Sequence, residues 1–280
     1  MARSLNPPFG TYALPEAREK LRRKADGFKD TRWGRAMISH YRNRALKGLN
    51  EPFDITIEPG VRARLYPSQN RCEKRAFAGV QVWDAVEREA LKQAVRDCKN
   101  ENFVFLDVGA NVGLYSIFVD AYCQAVGVEP SIFAIEPGQI TAERLKDNLV
   151  ASEAKVQIIR AAVSDEPGTG HLAGGDENRG EARLQESKAG ELVIIDTLAR
   201  IALSHGLTRI DALKLDIEGH DLKALRAFFE AAPQSLFPRL LILETGREEN
   251  SPLIDLCRTR GYGLEGRYGL NAIMTLKDKI

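Results

Sequence analysis

The chain has 280 residues, of which 44% are hydrophobic and 28% are charged, and this composition excludes a low-complexity or disordered chain. No run approaches the roughly 18 apolar residues of a membrane span, and the first ten residues, MARSLNPPFG, carry no apolar run that would indicate a signal peptide. Four cysteines are scattered without a C-x-x-C pair. The sequence therefore favours a reducing, cytoplasmic setting over a disulfide framework or a structural zinc site.

The formal net charge of +1 hides an uneven distribution. Residues 1–50 carry 12 Lys or Arg and 4 Asp or Glu, a net charge of +8, whereas the rest of the chain has a net charge of −7. Such a basic segment can bind an anionic partner, contact a second subunit, or pack as a helical extension against an acidic body. These alternatives stay open at the level of sequence.

The first 51 residues form a basic arm with two predicted helices, at 15–26 and 32–47. In the second helix, Trp33, Met37 and Tyr41 recur at helical spacing and predict one apolar stripe that faces the core.

Residues 52–100 are predicted to form a hairpin and a helix that pack on the core. The stretch FDITIEPGVRARLYP alternates around a Pro-Gly turn, which is typical of a β-hairpin. A helix follows near 84–98, where Asp84 and Glu87 have the spacing of a capping box.

From residue 103 the pattern changes to strands that alternate with amphipathic helices. Continuous apolar strands predict a Rossmann-like, doubly wound α/β domain over 101–280, with a mostly parallel sheet covered on both faces and an antiparallel C-terminal edge. A polar, Gly-rich insertion at 166–191 is long enough to form a mobile hairpin over a site. The predicted strands span 103–107, 132–137, 155–165, 210–216 and 239–244, with an edge strand and a short helix in 192–203, helices at 141–152, 221–232 and 252–261, and two final strands within 262–276.

The five predicted parallel strands end at or just before a carboxylate. In an open α/β sheet, ligands bind outside the carboxyl ends of the strands. Like charges that converge there raise one another's pKa, so a ligand with positive charge and several hydroxyls would explain their gathering better than a phosphate would. The five residues are Asp107, Glu136, Asp165, Asp216 and Glu244.

The loop LDVGANVG follows the first of these strands. A dinucleotide fingerprint reads G-x-G-x-x-G, but here Asn111 stands where the second glycine belongs, and Asp107 would repel a phosphate. S-adenosylmethionine, which has an ammonium group, a sulfonium and a ribose but no phosphate, fits better. The backbone residues predicted to approach it are Gly109, Ala110, Asn111 and Gly113.

Other predicted cofactor contacts follow from position at the ends of the strands. Asp107 is expected at the ammonium group, and Glu136, which precedes Pro137, at the ribose hydroxyls. The turn from Ala162 through Val163 to Asp165 is expected to border the adenine.

The segments FVFLDVGANVGLYS, AIEP, AAVSDEPG, LKLDIEGHD and LILE occur in an order and spacing that resemble the FkbM-type methyltransferases. The resemblance covers about residues 52–276. It implies a class I fold, S-adenosylmethionine as cofactor and methyl transfer to oxygen, on a hydroxyl of a sugar, glycan, glycolipid or natural product. It does not name the acceptor.

The segment LKLDIEGHD supplies candidates for catalysis. An extended ending would put Asp216, Glu218 and His220 on one side, with Asp216 near the methionine moiety or the methyl group and Glu218 or His220 as the base. Glu244 would orient the substrate or the base, and Asp221 would cap the next helix. These residues, Asp221 apart, also carry donor atoms for a divalent ion, but their spacing demands none.

Four alternatives stand beside this interpretation. A nicotinamide-dependent oxidoreductase is disfavoured by the loop, and a catalytically silent scaffold is disfavoured because the cofactor loop is intact. Methylation of another small molecule stays open, and methylation of nucleic acid is disfavoured because no Asn/Asp-Pro-Pro-aromatic signature follows the fourth strand.

Overall fold

A computed structural model of the chain describes residues 5–98, 102–173, 183–185, 190–247 and 250–277. Within these ranges, no helix combines the length and the apolarity needed to cross a bilayer. The helices are α1 (Glu16–Ala25), α2 (Arg32–Leu46), α3 (Arg71–Phe77), α4 (Ala85–Arg96), α5 (Leu114–Val126), α6 (Gln139–Ser152), α7 (Leu198–Ser204), α8 (Asp221–Ala231) and α9 (Pro252–Thr259). The strands are β1 (Phe53–Glu58), β2 (Val61–Leu65), β3 (Asn102–Val108), β4 (Glu129–Ile135), β5 (Val156–Ile159), β6 (Ala162–Val163), β7 (Gly168–Ala173), β8 (Arg183–Gln185), β9 (Glu191–Asp196), β10 (Ala212–Leu215), β11 (Leu240–Glu244), β12 (Tyr262–Tyr268) and β13 (Asn271–Leu276).

The central sheet has seven strands in the order β12-β13-β11-β10-β3-β4-β5. The strands from β11 to β5 are parallel, and β13 runs antiparallel to both β11 and β12. This confirms the predicted doubly wound sheet with an antiparallel C-terminal edge, which is the class I methyltransferase fold.

Both faces of the sheet are buried. Successive residues of β3 alternate between two cores: Phe103 and Phe105 pack with α4, α5 and the hairpin β1–β2, whereas Val104 and Leu106 pack with α7, α8 and α9. Because neither face meets solvent, the strand has no polar alternation, and this is why its sequence reads as a continuous apolar run.

A second sheet, in the order β6-β9-β7-β8, stands beside the central one. Two sequence predictions are wrong here. The stretch 155–165 is not one strand, since β5 joins the central sheet and β6 the second sheet. The strand predicted in 192–203 is not an edge of the central sheet, since β9 pairs with β6 and β7.

The basic arm is helical as predicted, but the predicted apolar stripe of α2 is correct only in part, because Tyr41 packs against the core and Trp33 does not. Trp33 is 67% exposed, and the buried residues of the helix are Gly34, Ile38 and Ala45. A Cβ at position 34 would lie 2.0 Å from the backbone oxygen of Lys29, so the glycine lets the helix bury this side and leaves Trp33 outside.

Buried ion pairs tie the arm to the rest of the chain. Arg22, 1% exposed, lies beside Glu19 and donates to the carbonyl oxygen of Phe77 at 3.1 Å. Arg64 of β2 pairs with Asp54 at 2.8 Å, and Asp54 also accepts from the backbone N–H of Gly10 at 2.8 Å. Polar groups buried with partners of this kind hold the arm in one position on the hairpin.

The predicted capping box of α4 does not form. Asp84 has a left-handed backbone (φ 42°) without a side-chain cap, and its carboxylate accepts from the Tyr115 hydroxyl at 3.0 Å. Glu87 accepts from the Asn271 side-chain amide at 2.8 Å. Each carboxylate thus bonds to a residue distant in sequence instead of forming the capping box.

Candidate active site

Backbone amides of the loop after β3 already donate hydrogen bonds within the protein. Those of Gly109 and Ala110 donate to the Ile135 carbonyl, and that of Asn111 donates to the Glu136 carboxylate at 2.9 Å. The Gly113 amide donates to the Ala110 carbonyl. These four amides are therefore not available to a pyrophosphate.

Asp107 lies beneath the loop with none of its surface exposed. One carboxylate oxygen accepts from the backbone N–H and the hydroxyl of Ser116, at 3.1 and 2.7 Å, and so occupies the first turn of α5. The other oxygen is buried and has no hydrogen-bond partner among the described residues. Burial raises the pKa of Asp107, and the charge of Lys214 opposes the rise.

Gly109 brings the loop against the end of β10. Its φ is +74°, and a Cβ there would lie 1.9 Å from the backbone oxygen of Asp216. Only glycine allows this close approach, which joins the two loops at the carboxyl edge of the sheet.

Glu136 directly follows β4. Its carboxylate accepts from the amides of Asn111 and Gly138, at 2.9 and 3.0 Å. Burial raises its pKa to about 7, against the effect of these two hydrogen bonds. A carboxylate held in this way can still accept from ligand hydroxyls through its remaining lone pairs.

A cleft runs along this edge of the sheet between the loop, the turn at Ala162 and the end of β10. Of the predicted cofactor residues, Gly109, Asn111, Glu136, Pro137, Ala162, Val163 and Asp216 line it. Thr141, Leu172 and Ile217, which were not among the predicted cofactor residues, also line it. Leu172 belongs to β7, so this strand of the hairpin borders the cleft, whereas residues 174–182 and 186–189 of the predicted insertion lie outside the described ones.

Asp107, Ala110, Gly113 and Asp165 lie outside the lining of the cleft. Asp165 is exposed and follows β6, so it is not the end of a central strand as predicted. Its carboxylate accepts from the Ser164 hydroxyl at 2.8 Å, which lowers its pKa.

Lys214 is the charged residue that sequence reasoning missed. It is 8% exposed, and its ammonium donates to Asp216 at 3.1 Å and lies 5.3 Å from the centre of the Tyr115 ring. Burial lowers its pKa, but the carboxylates of Asp216 and Asp107 outweigh burial, so the pKa is raised overall. A lysine inside ALKL, in a strand buried on both faces, was the signal that could have revealed it.

Three carboxylates meet beside this lysine. Oxygen atoms of Asp216, Glu218 and Glu244 lie within 4.8 Å of one another. Burial and the charge of Asp216 raise the pKa of Glu244 to about 8, whereas the charge of Lys214 outweighs burial and lowers the pKa of Asp216. Near neutral pH Glu244 therefore holds a proton beside an ionised Asp216. The three side chains have donor atoms for a divalent cation, and Lys214 already supplies positive charge there.

The segment after Asp216 is a turn, so the predicted extended alternation is wrong. Glu218 has a left-handed backbone (φ 53°), and His220 lies apart from the carboxylates, with Nδ1 3.2 Å from the Ser164 hydroxyl. Asp221 is the first residue of α8 rather than its cap. It accepts from the backbone N–H of Ile217 at 3.1 Å and so closes the turn.

Comparison with known proteins places this site in a family. A family model described as the methyltransferase FkbM domain matches residues 107–262, a shorter range than the 52–276 predicted from the sequence. No curated protein matches the chain.

Solved structures of methyltransferases are similar at low identity, and these likenesses carry no argument about activity. An S-adenosylmethionine-dependent methyltransferase from Agrobacterium tumefaciens is 14% identical, over 83% of this chain and 72% of that one, with a TM-score of 0.48. Precorrin-6y C5,15-methyltransferase from Geobacter metallireducens is 15% identical, over 69% and 87%, with a TM-score of 0.40. Magnesium protoporphyrin IX methyltransferase from Synechocystis is 12% identical, over 94% and 98%, with a TM-score of 0.41.

The family match covers more than half of the chain and includes the loop after β3, Glu136 and the carboxylates at the ends of β10 and β11. The chain therefore belongs to the FkbM methyltransferase family.

Proposed function

We propose that the protein is an S-adenosylmethionine-dependent O-methyltransferase that acts on a hydroxyl of a sugar, glycolipid or natural-product acceptor. The observation that carries the proposal is the carboxylate cluster of Asp216, Glu218 and Glu244 at the end of the cleft. Methylation of a hydroxyl needs a proton acceptor at the reacting oxygen, and a carboxylate pair supplies one.

The chemistry of the cleft supports a phosphate-free nucleoside. The loop amides are engaged and Asp107 occupies the first turn of α5, where a phosphate would otherwise bind. Glu136 has carboxylate lone pairs for the ribose hydroxyls, and Ala162, Val163 and Leu172 give an apolar border for the adenine. When bound, the cofactor supplies an electrophilic methyl group on a sulfonium.

We assign to Asp216 and Glu244 the removal of the proton from the acceptor hydroxyl. Lys214 keeps Asp216 ionised, and Glu244 shares its proton with that carboxylate. With Glu244 deprotonated, the pair can accept the hydroxyl proton while Asp216 stays paired with Lys214. Glu218, which lines the cleft, faces the same point and orients the acceptor; a role for Glu218 or His220 as the base remains a prediction.

Isothermal titration with S-adenosylhomocysteine, beside NAD, tests the cofactor. We expect heat from the first and none from the second, and the opposite result would remove the proposal.

A labelled-methyl transfer assay on a fractionated cell extract tests the reaction. Glu244→Gln should keep S-adenosylhomocysteine affinity within about twofold and lower transfer about 100-fold or more, since a general base contributes about 10²–10⁴-fold. Glu230→Gln, an exposed glutamate on α8, is the matched control. Equal transfer by the two variants would contradict the assignment.

A further inference from the structure

A second pocket, of about 590 Å³, lies between the basic arm and the central domain. Its wall includes four arginines from three parts of the chain: Arg35 and Arg42 of α2, Arg75 of α3 and Arg267 of β12. Its volume is that of an ordinary small-molecule site.

The arginines differ in how their charge is balanced. Arg35 makes a two-armed pair with Asp30, with one contact at 2.9 Å, and is neutralised there. Arg75 lies 4.0 Å from Asp84, at the limit of an ion pair. Arg42 donates weakly to the carbonyl oxygen of Lys74 at 3.5 Å, and its Nε is buried without a hydrogen-bond partner among the described residues.

Arg42 and Arg75 also act on each other. Burial, and then the charge of Arg75, lower the pKa of Arg42. Both arginines line the same pocket. Two like charges repel each other, and an anion bound between them would offset that repulsion. A guanidinium fork matches phosphate and carboxylate oxygens in two-armed hydrogen bonds.

Two paths of direct contacts lead from the wall of the pocket to residues beside the carboxylates assigned to the reaction. Its wall includes Trp83, which packs edge-on against Tyr115 at 5.5 Å, and Tyr115 in turn lies under Lys214. Glu87, also in the wall, accepts from Asn271, which pairs with Glu244 across β11 and β13. Tyr115 on one path and Asn271 on the other thus link the wall of the pocket to Lys214 and Glu244.

We infer that the methyl acceptor carries a phosphate group, and that Arg42 and Arg75 bind this group while the hydroxyl to be methylated reaches Asp216 and Glu244. A sugar phosphate, a nucleotide-linked sugar and a sugar joined to a lipid through phosphate share this chemistry. The inference rests on the proposed function for the hydroxyl end of the acceptor, whereas the phosphate end stands on the pocket alone.

Inorganic phosphate, titrated into the full-length protein, tests the pocket directly. Arg42→Gln and Arg75→Gln should each weaken phosphate binding about tenfold or more, the loss expected for a hydrogen bond to a charged group. Arg44→Gln, an exposed arginine on the same helix, should leave it unchanged. Phosphate that fails to bind the wild type, or that binds the double variant Arg42→Gln/Arg75→Gln as well as the wild type, overturns the inference.

S-adenosylhomocysteine binding, measured on the same samples, separates this inference from the proposed function. All the arginine variants should bind it as the wild type does, and its loss in the wild type would overturn the proposed function alone.

The transfer assay then identifies the source of the phosphate. We expect labelled products that bind an anion exchanger and lose that property after phosphodiesterase and phosphatase treatment, with label in the aqueous phase for a sugar phosphate and in the organic phase for a lipid-linked one. Label confined to neutral products or to nucleic acid overturns the inference.

Discussion

Lys214 is a charged side chain that is buried beside the carboxylates of the candidate active site. It lies in a strand buried on both faces and balances two carboxylates, Asp107 and Asp216. An apolar strand cannot hold an ammonium group unless such partners exist. Composition and periodicity do not show partners that are distant in sequence, so the lysine's role could not be predicted although its presence could be noticed.

Lys214→Met should lower the free energy of unfolding by about 3 kcal/mol, because removal of one member of a buried ion pair leaves the other uncompensated. Lys223→Met, an exposed lysine on α8, is the control and should change it by less than about 0.5 kcal/mol. Urea denaturation of both variants measures the difference. Equal stability would show that the site does not need the lysine's charge.

The pH dependence of transfer follows from Glu244. Its pKa of about 8 means that the pair holds a proton below pH 8 and is free to accept one above it. Transfer should therefore rise between pH 6.5 and 9 with a midpoint near 8, and the rise should be absent from the residual activity of Glu244→Gln. Initial rates across this range check the prediction, and an unchanged profile in the variant would assign the titration to another group.

At the scale of elements, the strands were easier to predict than their endings. The apolar runs of β3, β10 and β11 were recognised because burial on both faces leaves a continuous hydrophobic signal. The run 155–165 contains two strands that belong to different sheets. Their pairing partners lie elsewhere in the chain, so the run itself does not show the division. The sequence predicts an extended ending at Glu218, because residue types alone do not show the left-handed backbone there or the local hydrogen bonds from Ile217 and Gly219 to Asp221 that close the turn.

Contact between the loop after β3 and the end of β10 should depend on Gly109. Gly109→Ala puts a methyl group into the Asp216 carbonyl, so we expect both a lower melting temperature and loss of S-adenosylhomocysteine binding. Gly127→Ala also changes a glycine with positive φ (+77°), but in open space, and should cost about 1 kcal/mol without affecting binding. Calorimetry of both variants gives the comparison. Intact binding by Gly109→Ala would mean that the loops can separate without harm.

The whole molecule carries buried carboxyls whose protonation couples folding to pH. Burial raises the pKa of Glu73 and of Glu136 to about 7, above the ordinary value of 4.5. The folded state therefore binds protons more tightly than the unfolded one. The stability that these groups contribute is fully present below pH 4.5 and is lost as the pH rises through 7.

Without cofactor, the contribution of these carboxyls to the melting temperature should therefore fall between pH 5 and 8. Glu73→Gln should reduce the wild-type fall by about 5 °C, whereas Glu230→Gln should leave it unchanged. Thermal melts across this range test the sign. A variant that melts with the full wild-type slope would show that Glu73 does not titrate in this window.

The antiparallel direction of β13 determines where the connection between β12 and β13 lies. Since β13 runs against its neighbours, it begins where they finish, and the short connection before Asn271 arrives beside Glu244. Tyr268, the last residue of β12, and Gly269 of that connection line the arginine-walled pocket, and neither lines the cleft beside the loop after β3. Substitutions at this hairpin tip should therefore change the fit of the acceptor while leaving the cleft beside the loop after β3 unchanged.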